Sequence, residues 1–407
     1  MRNIIAGIDI GTSKVSTAAG YLNGEFEPAV LGAGISRCSA VKKGQIDDIG
    51  EISSAIKDSV SKAEKMANIK ILSAFVNIIG MNVEVIKRQV SIQIENRSGL
   101  ITISDVYRLL NIVGDVSADD DKKVIDIIVQ NYKIDDSTDI YYPVGMQAKK
   151  LELSADVILS DTITYQNITD CMEKAGIELE GFVLSGLAEG GLILTAEEKE
   201  KGVILIDTGA GITDITVIKD NNLLFYNSVP IGGEHITNDL SIVLKTSYNE
   251  AEAVKKQYNL AMSSMIENDE EVLLGGQELF SKRIVNISDI VEVIEARVNE
   301  IFELSKKKIE DSEIEIDEKW MLVLSGQGVT EFQGALEVAK EIFGTRVRIN
   351  KKRVSDTVNS SFNTAVGIIK YVSELRRKKS VEIPAIRGHR AKRRRSLWKK
   401  IRGLFNK

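Results

Sequence analysis

Two short segments end an apolar run with an acid and follow it at once with glycine and hydroxyl residues. They are Asp9-Ile10-Gly11-Thr12-Ser13-Lys14 and Asp207-Thr208-Gly209-Ala210-Gly211-Ile212-Thr213-Asp214. A tight hairpin of this composition brings backbone N–H groups and small side chains close to phosphate oxygens. Hydroxyls and the Lys14 ammonium supply further donors. The chemistry this suits is binding of a nucleoside triphosphate, ATP, with its Mg2+. Magnesium keeps most of its waters, so Asp9 and Asp207, one on either side of a cleft, are expected to hold it through water. A single hairpin reads as an ordinary glycine turn. Two copies, about 200 residues apart, imply two similarly built lobes that face one another.

A third motif, Leu324-Ser325-Gly326-Gln327-Gly328, is a strand running into a glycine-rich turn. There the base and ribose of the nucleotide would lie flat against backbone at Gly326, Gln327 and Gly328. Glu252 and Lys255, one helical turn apart, could hydrogen-bond ribose and base edges. Taken alone they read as a surface ion pair.

The elements that must position these residues follow from the hydrophobic pattern. An isoleucine-rich run at 4–10 predicts a buried strand entering a turn, with strands at 15–21 and 29–34 after it. A helix is expected at 51–66, a strand at 83–95, a helix capped by Ser104 running to 112, and strands at 124–133 and 151–159. The strand–helix–strand–strand block at about 81–160 reads as a compact inserted unit. Residues 160–176 and 188–196 read as helices around a short strand at 182–184. The second hairpin repeats the opening, with strands at 203–209, 212–218 and 222–228. Helices at 237–244, 247–258 and 287–307, a strand at 321–325 and a last helix at 365–375 complete the body.

Composition narrows the class. The 407 residues, 43 % hydrophobic, suffice for two or three domains with their own cores. Cys38 and Cys171 are single and far apart, which leaves no disulfide framework or CxxC metal site and suits a reducing, intracellular compartment. With only His235 and His389, zinc hydrolases and His-based triads are disfavoured. The first residues break their apolar run with Asp9, unlike a signal peptide, and no stretch reaches the roughly 18 apolar residues of a spanning helix.

The net charge of −6 conceals a division. From Arg376 to Lys407 there are 14 Lys or Arg against one acid, Glu382, a net of +13, so the remaining chain carries −19. An acidic body with a basic tail is no general nucleic-acid binder; the tail is built to meet an anionic surface. Ser396 can cap a helix in which Leu397, Trp398, Ile401, Leu404 and Phe405 share an arc of roughly 120°. Lys399, Lys400, Arg402 and Lys407 take the other side. This pattern fits a helix lying in a membrane interface, attracted by anionic lipids, better than a nucleic-acid arm or a helix in a partner's groove. Residues 380–395 read as a charged tether spanning roughly 20–25 Å.

The two hairpins and the adenosine turn, in this order, resemble the superfamily of actin, heat-shock chaperones and sugar kinases. Within it the chain resembles the FtsA family of bacterial cell-division proteins. The resemblance rests on residues 3–14, Tyr142-Pro143-Val144-Gly145-Met146 with Leu151-Glu152, Gly186-Leu187-Ala188, and residues 207–215. It continues through Ile231-Gly232-Gly233-Glu234-His235-Ile236-Thr237-Asn238-Asp239, Ala251-Glu252 with Lys255, Glu295-Ala296-Arg297 and Asn363-Thr364-Ala365-Val366-Gly367.

The resemblance implies an α/β fold of two actin-like, ribonuclease-H-like lobes. The first lobe would comprise 1–80 and 161–190, with an SHS2-type subdomain inserted at 81–160. The second would comprise 191–230 and 311–375, with a small subdomain at 231–310. A basic linker at 376–395 and an amphipathic membrane-targeting helix at 396–407 would follow. It also implies ATP between the lobes, touching Gly232 and Gly233 besides the motifs above, and assembly into actin-like filaments. Its partners would be the C-terminal peptide of the tubulin-like protein FtsZ, docking near Arg297, and other division proteins. A plain surface arginine is the alternative at Arg297.

Two departures matter. Hydrolysing members of the superfamily carry Glu-Pro where this chain has Leu184-Ser185-Gly186-Leu187-Ala188, so slow or negligible turnover is expected. Glu189 nearby could substitute, but reads as lying on the exposed side of its helix. Gln327 stands where a third glycine is common. An actin-fold ATPase or chaperone, a small-metabolite kinase and a pilus-assembly adaptor of the PilM kind remain the alternatives. The first predicts a substrate domain after the lobes where only a short basic tail follows. The second needs a catalytic Asp and a sugar pocket, with no convincing candidate here. The expected terminal helix and residues 232–239 favour the division family over the third.

Overall fold

The computed structural model describes residues 4–42, 44–78, 81, 83–116, 121–275, 282–351 and 358–382. The chain divides into two compact units, one of residues 1–81 and 167–370 and one of residues 82–166 and 371–407.

The larger unit opens with the buried run β1 (Ile5–Ile10), which turns tightly into β2 (Lys14–Leu22) and then β3 (Pro28–Arg37). The short pair β4 (Val41–Lys42) and β5 (Gln45–Ile46) leads to α1 (Ile49–Ala67). The Asp48 side chain caps this helix by accepting from the Glu51 N–H, and Asn68 ends it in the left-handed region. The strand β6 (Ser73–Ile78), which the hydrophobic pattern does not single out, pairs parallel to β1.

The smaller unit contains β7 (Val83–Gln93), α2 (Ile103–Gly114), β8 (Lys122–Ile134), β9 (Ser137–Ile140) and β10 (Lys150–Asp161). They form a sheet of order β7-β10-β8-β9 whose core includes Leu109, Leu151, Leu153 and Val157. The strand–helix–strand–strand sequence is thus present. Its helix is capped by Thr102, not Ser104: Thr102 and Asp105 exchange hydrogen bonds in a capping box.

The chain then runs through α3 (Thr162–Ala175), β11 (Glu178–Leu184), α4 (Ser185–Ile193) and α5 (Ala196–Lys201). A Thr195–Glu198 capping box separates α4 from α5, so the single helix expected at 188–196 is two. The hairpin then recurs as β12 (Val203–Thr208), β13 (Thr213–Lys219) and β14 (Asn222–Val229). α6 (Gly233–Val243), α7 (Tyr248–Gln257), the hairpin β15 (Glu271–Gly275) and β16 (Lys282–Asn286), and α8 (Ile287–Glu310) follow. β17 (Met321–Ser325), α9 (Ala335–Phe343), β18 (Arg346–Ile349) and α10 (Asn363–Glu382) end the described chain.

The duplication read from two hairpins extends to whole sheets. One has the order β3-β2-β1-β6-β11 and the other β14-β13-β12-β17-β18. In each, the first three strands are antiparallel and the last two join parallel. The register repeats too: Asp9 opposes Ser16, and Asp207 opposes Asp214. Packing behind the second sheet centres on Phe302 and Trp320. Phe302 meets Phe343 edge-on at 6.5 Å, and burying such a ring contributes about 1.5–3 kcal/mol.

Two helices cross between the sheets, and glycine sets how closely they approach. A Cβ at Gly367 of α10 would lie 2.1 Å from the Ala188 carbonyl of α4. One at Gly7 of β1 would lie 2.3 Å from the Ala365 carbonyl. Among the described residues no helix is long and apolar enough to cross a membrane.

Candidate functional site

The C-terminal ends of β1 and β12 carry the two hairpins, and the backbone closes them identically. The Gly11 N–H donates to the Lys14 carbonyl at 2.9 Å, and the Gly209 N–H to the Ile212 carbonyl at 2.8 Å. They meet each other, since the Gly211 N–H donates to Thr12 Oγ1 at 2.8 Å. Sequence separation of about 200 residues thus becomes direct contact between the two predicted phosphate loops.

Asp9 is fixed by a residue that the motif search passes over. Asn77 of β6 donates to Asp9 Oδ1 at 2.9 Å and accepts from the Ile10 N–H at 2.7 Å. A polar residue inside the apolar run Ala74-Phe75-Val76-Asn77-Ile78 was the available signal: buried amides persist where they are hydrogen-bonded. Burial pushes the Asp9 carboxyl up to about 7, Lys14 pulls it back, and the negative charge of Asp207 pushes it further. Asp214, in the second hairpin, is likewise pushed up to about 7 by burial. Ser228 donates to it, and the charges of Asp207 and Asp9 add to the rise.

Glu189 corrects the sequence reading most sharply. It is 3 % exposed, not on the outer face of α4. Its Oε1 accepts from Ser325 Oγ at 2.6 Å and from Asn363 Nδ2 at 3.0 Å, and its carboxyl hydrogen-bonds Asp207. Burial and the Asp207 charge raise Glu189 well above the usual carboxylate range. The two carboxyls titrate as a pair, with Glu189 the more readily protonated partner. The joint unites α4, β12, β17 and α10.

The loop after β12 is gripped on two sides. The Gly328 N–H donates to the Thr208 carbonyl at 2.8 Å, and the Gly233 N–H to the Gly209 carbonyl at 3.0 Å. Gly326 has φ +78°, and a Cβ there would lie 2.2 Å from the Thr208 carbonyl, so only glycine fits. Gly232, which would bring a Cβ 2.6 Å from the Gly209 carbonyl, closes the same contact. Glu252 and Lys255 are an ion pair at 2.6 Å, yet more than a surface one. Lys255 donates to the Gly233 carbonyl at 3.1 Å and to Thr237 Oγ1 at 2.7 Å, and Thr237 donates to Glu252 at 2.6 Å. The pair is thereby tied to the start of α6 beside the hairpin.

Arg297 stands apart from this cluster, on α8. Its Nε donates to Asp239 at 2.6 Å and its Nη1 pairs with Glu300. Leu397, Trp398, Lys399, Lys400, Ile401, Arg402, Leu404 and Phe405, the residues expected to meet a membrane, lie outside the described residues. Among the described residues no three His, Cys, Asp or Glu side chains converge as direct ligands of an ion.

Two duplicated sheets joined by crossing helices, with paired acid hairpins between them, define an actin-like fold. Solved structures agree on the fold. The PilM–PilN type IV pilus biogenesis complex matches with a TM-score of 0.59 at 13 % identity, over 91 % of this chain and 98 % of that one. MreB5 of Spiroplasma citri bound to ADP matches with a TM-score of 0.52 at 13 % identity, over 94 % and 99 %. Family models narrow the class: "Cell division protein FtsA" matches residues 204–367, and "SHS2 domain inserted in FTSA" matches residues 80–159. The cell division protein FtsA of Pseudomonas aeruginosa is 31 % identical over 373 residues, covering 90 % of this chain and 89 % of that protein. FtsA of Bacillus subtilis is 31 % identical over 372 residues, covering 90 % and 83 %. The chain belongs to the FtsA family of cell division proteins.

Proposed function

We propose that this chain is the ATP-binding membrane tether of a division filament. It binds ATP with Mg2+ between the two hairpins and polymerises in the manner of actin. It takes the C-terminal peptide of FtsZ on the subdomain around Arg297 and recruits later division proteins. It holds the assembly on the cytoplasmic face of the membrane, at the division site, through the amphipathic helix at 396–407. The observation that carries the nucleotide part is the contact of two hairpins of the same build, each preceded by an acid. Burial and then the charge of Asp207 raise the proton affinity of Asp9, which a bound cation would relieve. Lys14 and the N–H groups of Thr12, Ser13 and Ala210 suit phosphate oxygens, and the backbone of Gly326, Gln327 and Gly328 would face the adenosine. Magnesium, where bound, would neutralise phosphate charge beside Asp9 and Asp207 through its waters. The described MreB5 structures hold ADP and AMPPNP, which favours a nucleotide on the same fold here.

Slow or negligible hydrolysis is part of the reading. Glu189, the carboxyl that could substitute, is engaged by Ser325, Asn363 and Asp207, which disfavours its turning to orient a water toward phosphate. Nucleotide then acts by binding one conformation better than another.

The test is co-sedimentation with anionic liposomes of the full chain and of a form ending at Arg395, with ATP and FtsZ each present or absent. Pelleting by the full chain alone, carrying FtsZ with it, is the expected result. Equal pelleting of both forms removes the tail from the proposal and returns weight to the chaperone and pilus-adaptor alternatives.

A further inference from the structure

Gln327 is the one member of the third motif whose side chain the proposed function leaves without a task. It is exposed, on the turn between Gly326 and Gly328, yet it is not free. Its Oε1 accepts from Lys14 Nζ of the other lobe at 3.4 Å and from Ser361 Oγ at 3.3 Å. Ser361 belongs to the 3-10 turn Ser360–Phe362 that leads into α10. Lys14 makes no ion pair among the described residues, so its hydrogen-bond partner across the two lobes is a neutral amide. Ser361 is joined to the first lobe a second time, because Ser16 Oγ donates to its carbonyl at 3.0 Å.

These contacts join four things: the single cation of the first hairpin, the turn after β17, the approach to α10 and the start of β2. An ammonium has three donors but a limited set of directions, and a phosphate oxygen is a stronger acceptor than an amide because it is charged. A triphosphate on the hairpins therefore draws Lys14 away from Gln327. The two bonds to Gln327 are long and solvent-exposed, so each contributes little and can open readily.

We propose that Gln327 is a latch that competes with phosphate for Lys14, setting nucleotide affinity and tying occupancy of the first hairpin to the turn before α10. It acts through Lys14 and is a positioning residue. This rests on the nucleotide reading given above. It differs from a base-recognition role for the same side chain, which has the opposite sign on mutation.

The experiment measures binding of ATP, ADP and adenosine to the full chain and to Gln327→Ala, Gln327→Gly and Gln327→Glu by titration calorimetry, alongside thermal unfolding of each. A latch predicts ATP binding about two- to tenfold tighter in Gln327→Ala and Gln327→Gly, the worth of one net hydrogen bond. Gln327→Glu strengthens the hold on Lys14 and weakens ATP by a similar factor, the more so at low salt. Adenosine, which has no phosphate, binds all four alike. Weaker ATP and adenosine binding in Gln327→Ala makes the residue a base contact and overturns the latch. Unchanged ATP affinity in all three variants, with unfolding midpoints also unchanged, overturns it too. If the unaltered chain takes up no ATP, the nucleotide reading falls, and the latch falls with it.

Discussion

At the scale of single residues, the pattern is of carboxyl groups crowded where charge is costly. Asp9 and Asp214 have folded-state values of about 7 against an ordinary 3.8. A carboxyl raised on folding favours the native state while it is protonated, and that advantage is lost as pH climbs from about 4 through about 7. Asp214→Asn abolishes the loss at one site and keeps an acceptor for Ser228. Its unfolding midpoint should therefore gain on the parent's between pH 5 and pH 8, by a few degrees at the upper end, in thermal scans without nucleotide. A constant difference across that range removes the linkage. Glu189 is argued from its partners. Glu189→Gln keeps the acceptor for Ser325 and Asn363 and still donates to Asp207, so stability should change little. Glu189→Ala leaves those groups unpaired around a cavity and should cost about 2–4 kcal/mol in denaturant unfolding.

At the scale of elements, the duplicated hairpins were legible because two signals coincide in each: an apolar run ending in an acid, then glycine and hydroxyls. β6, α9, β18 and the β15–β16 hairpin were not singled out. β6 is a six-residue apolar run that periodicity alone does not tell from part of a buried helix. α9 is nine residues long, too short for a persuasive helical stripe. Missing β6 meant missing Asn77, and with it the anchor of Asp9. The burial of Glu189 was illegible for a related reason. α4 packs on two sides, so its glycines and apolar residues leave no clean polar face from which to place an acid. The same close packing makes a prediction. Gly367→Ala forces a methyl toward the Ala188 carbonyl, 2.1 Å from where it would sit, and neither backbone can move without shifting a helix. Loss of about 1–3 kcal/mol is expected by thermal or denaturant unfolding. Full stability in this variant would mean that the α4–α10 crossing has slack.

At the scale of the whole molecule, the charge is divided between a −19 body and a +13 tail, and that division has consequences a neutral anchor would not have. In the proposed tether an acidic body would be repelled by an anionic leaflet and stay off the surface while the tail settles on it. Each tail cation near such a leaflet would contribute about 1 kcal/mol, and the apolar side of the expected helix would add what Trp398, Phe405 and the aliphatic residues bury. Neither part is sufficient: the apolar face is only five residues, and the cations alone are screened within about 8–10 Å at physiological salt. Binding should accordingly require both. Full-length protein should sediment with vesicles containing anionic lipid, fall several-fold in affinity as salt rises from 50 to 300 mM, and fail on neutral vesicles. Trp398→Glu should abolish binding even at low salt, because it places a charge in the middle of the apolar arc while leaving the cations in place. Retained binding in Trp398→Glu at low salt would reduce the tail to an electrostatic strap; indifference to lipid charge would mean that the tail's cations have another partner.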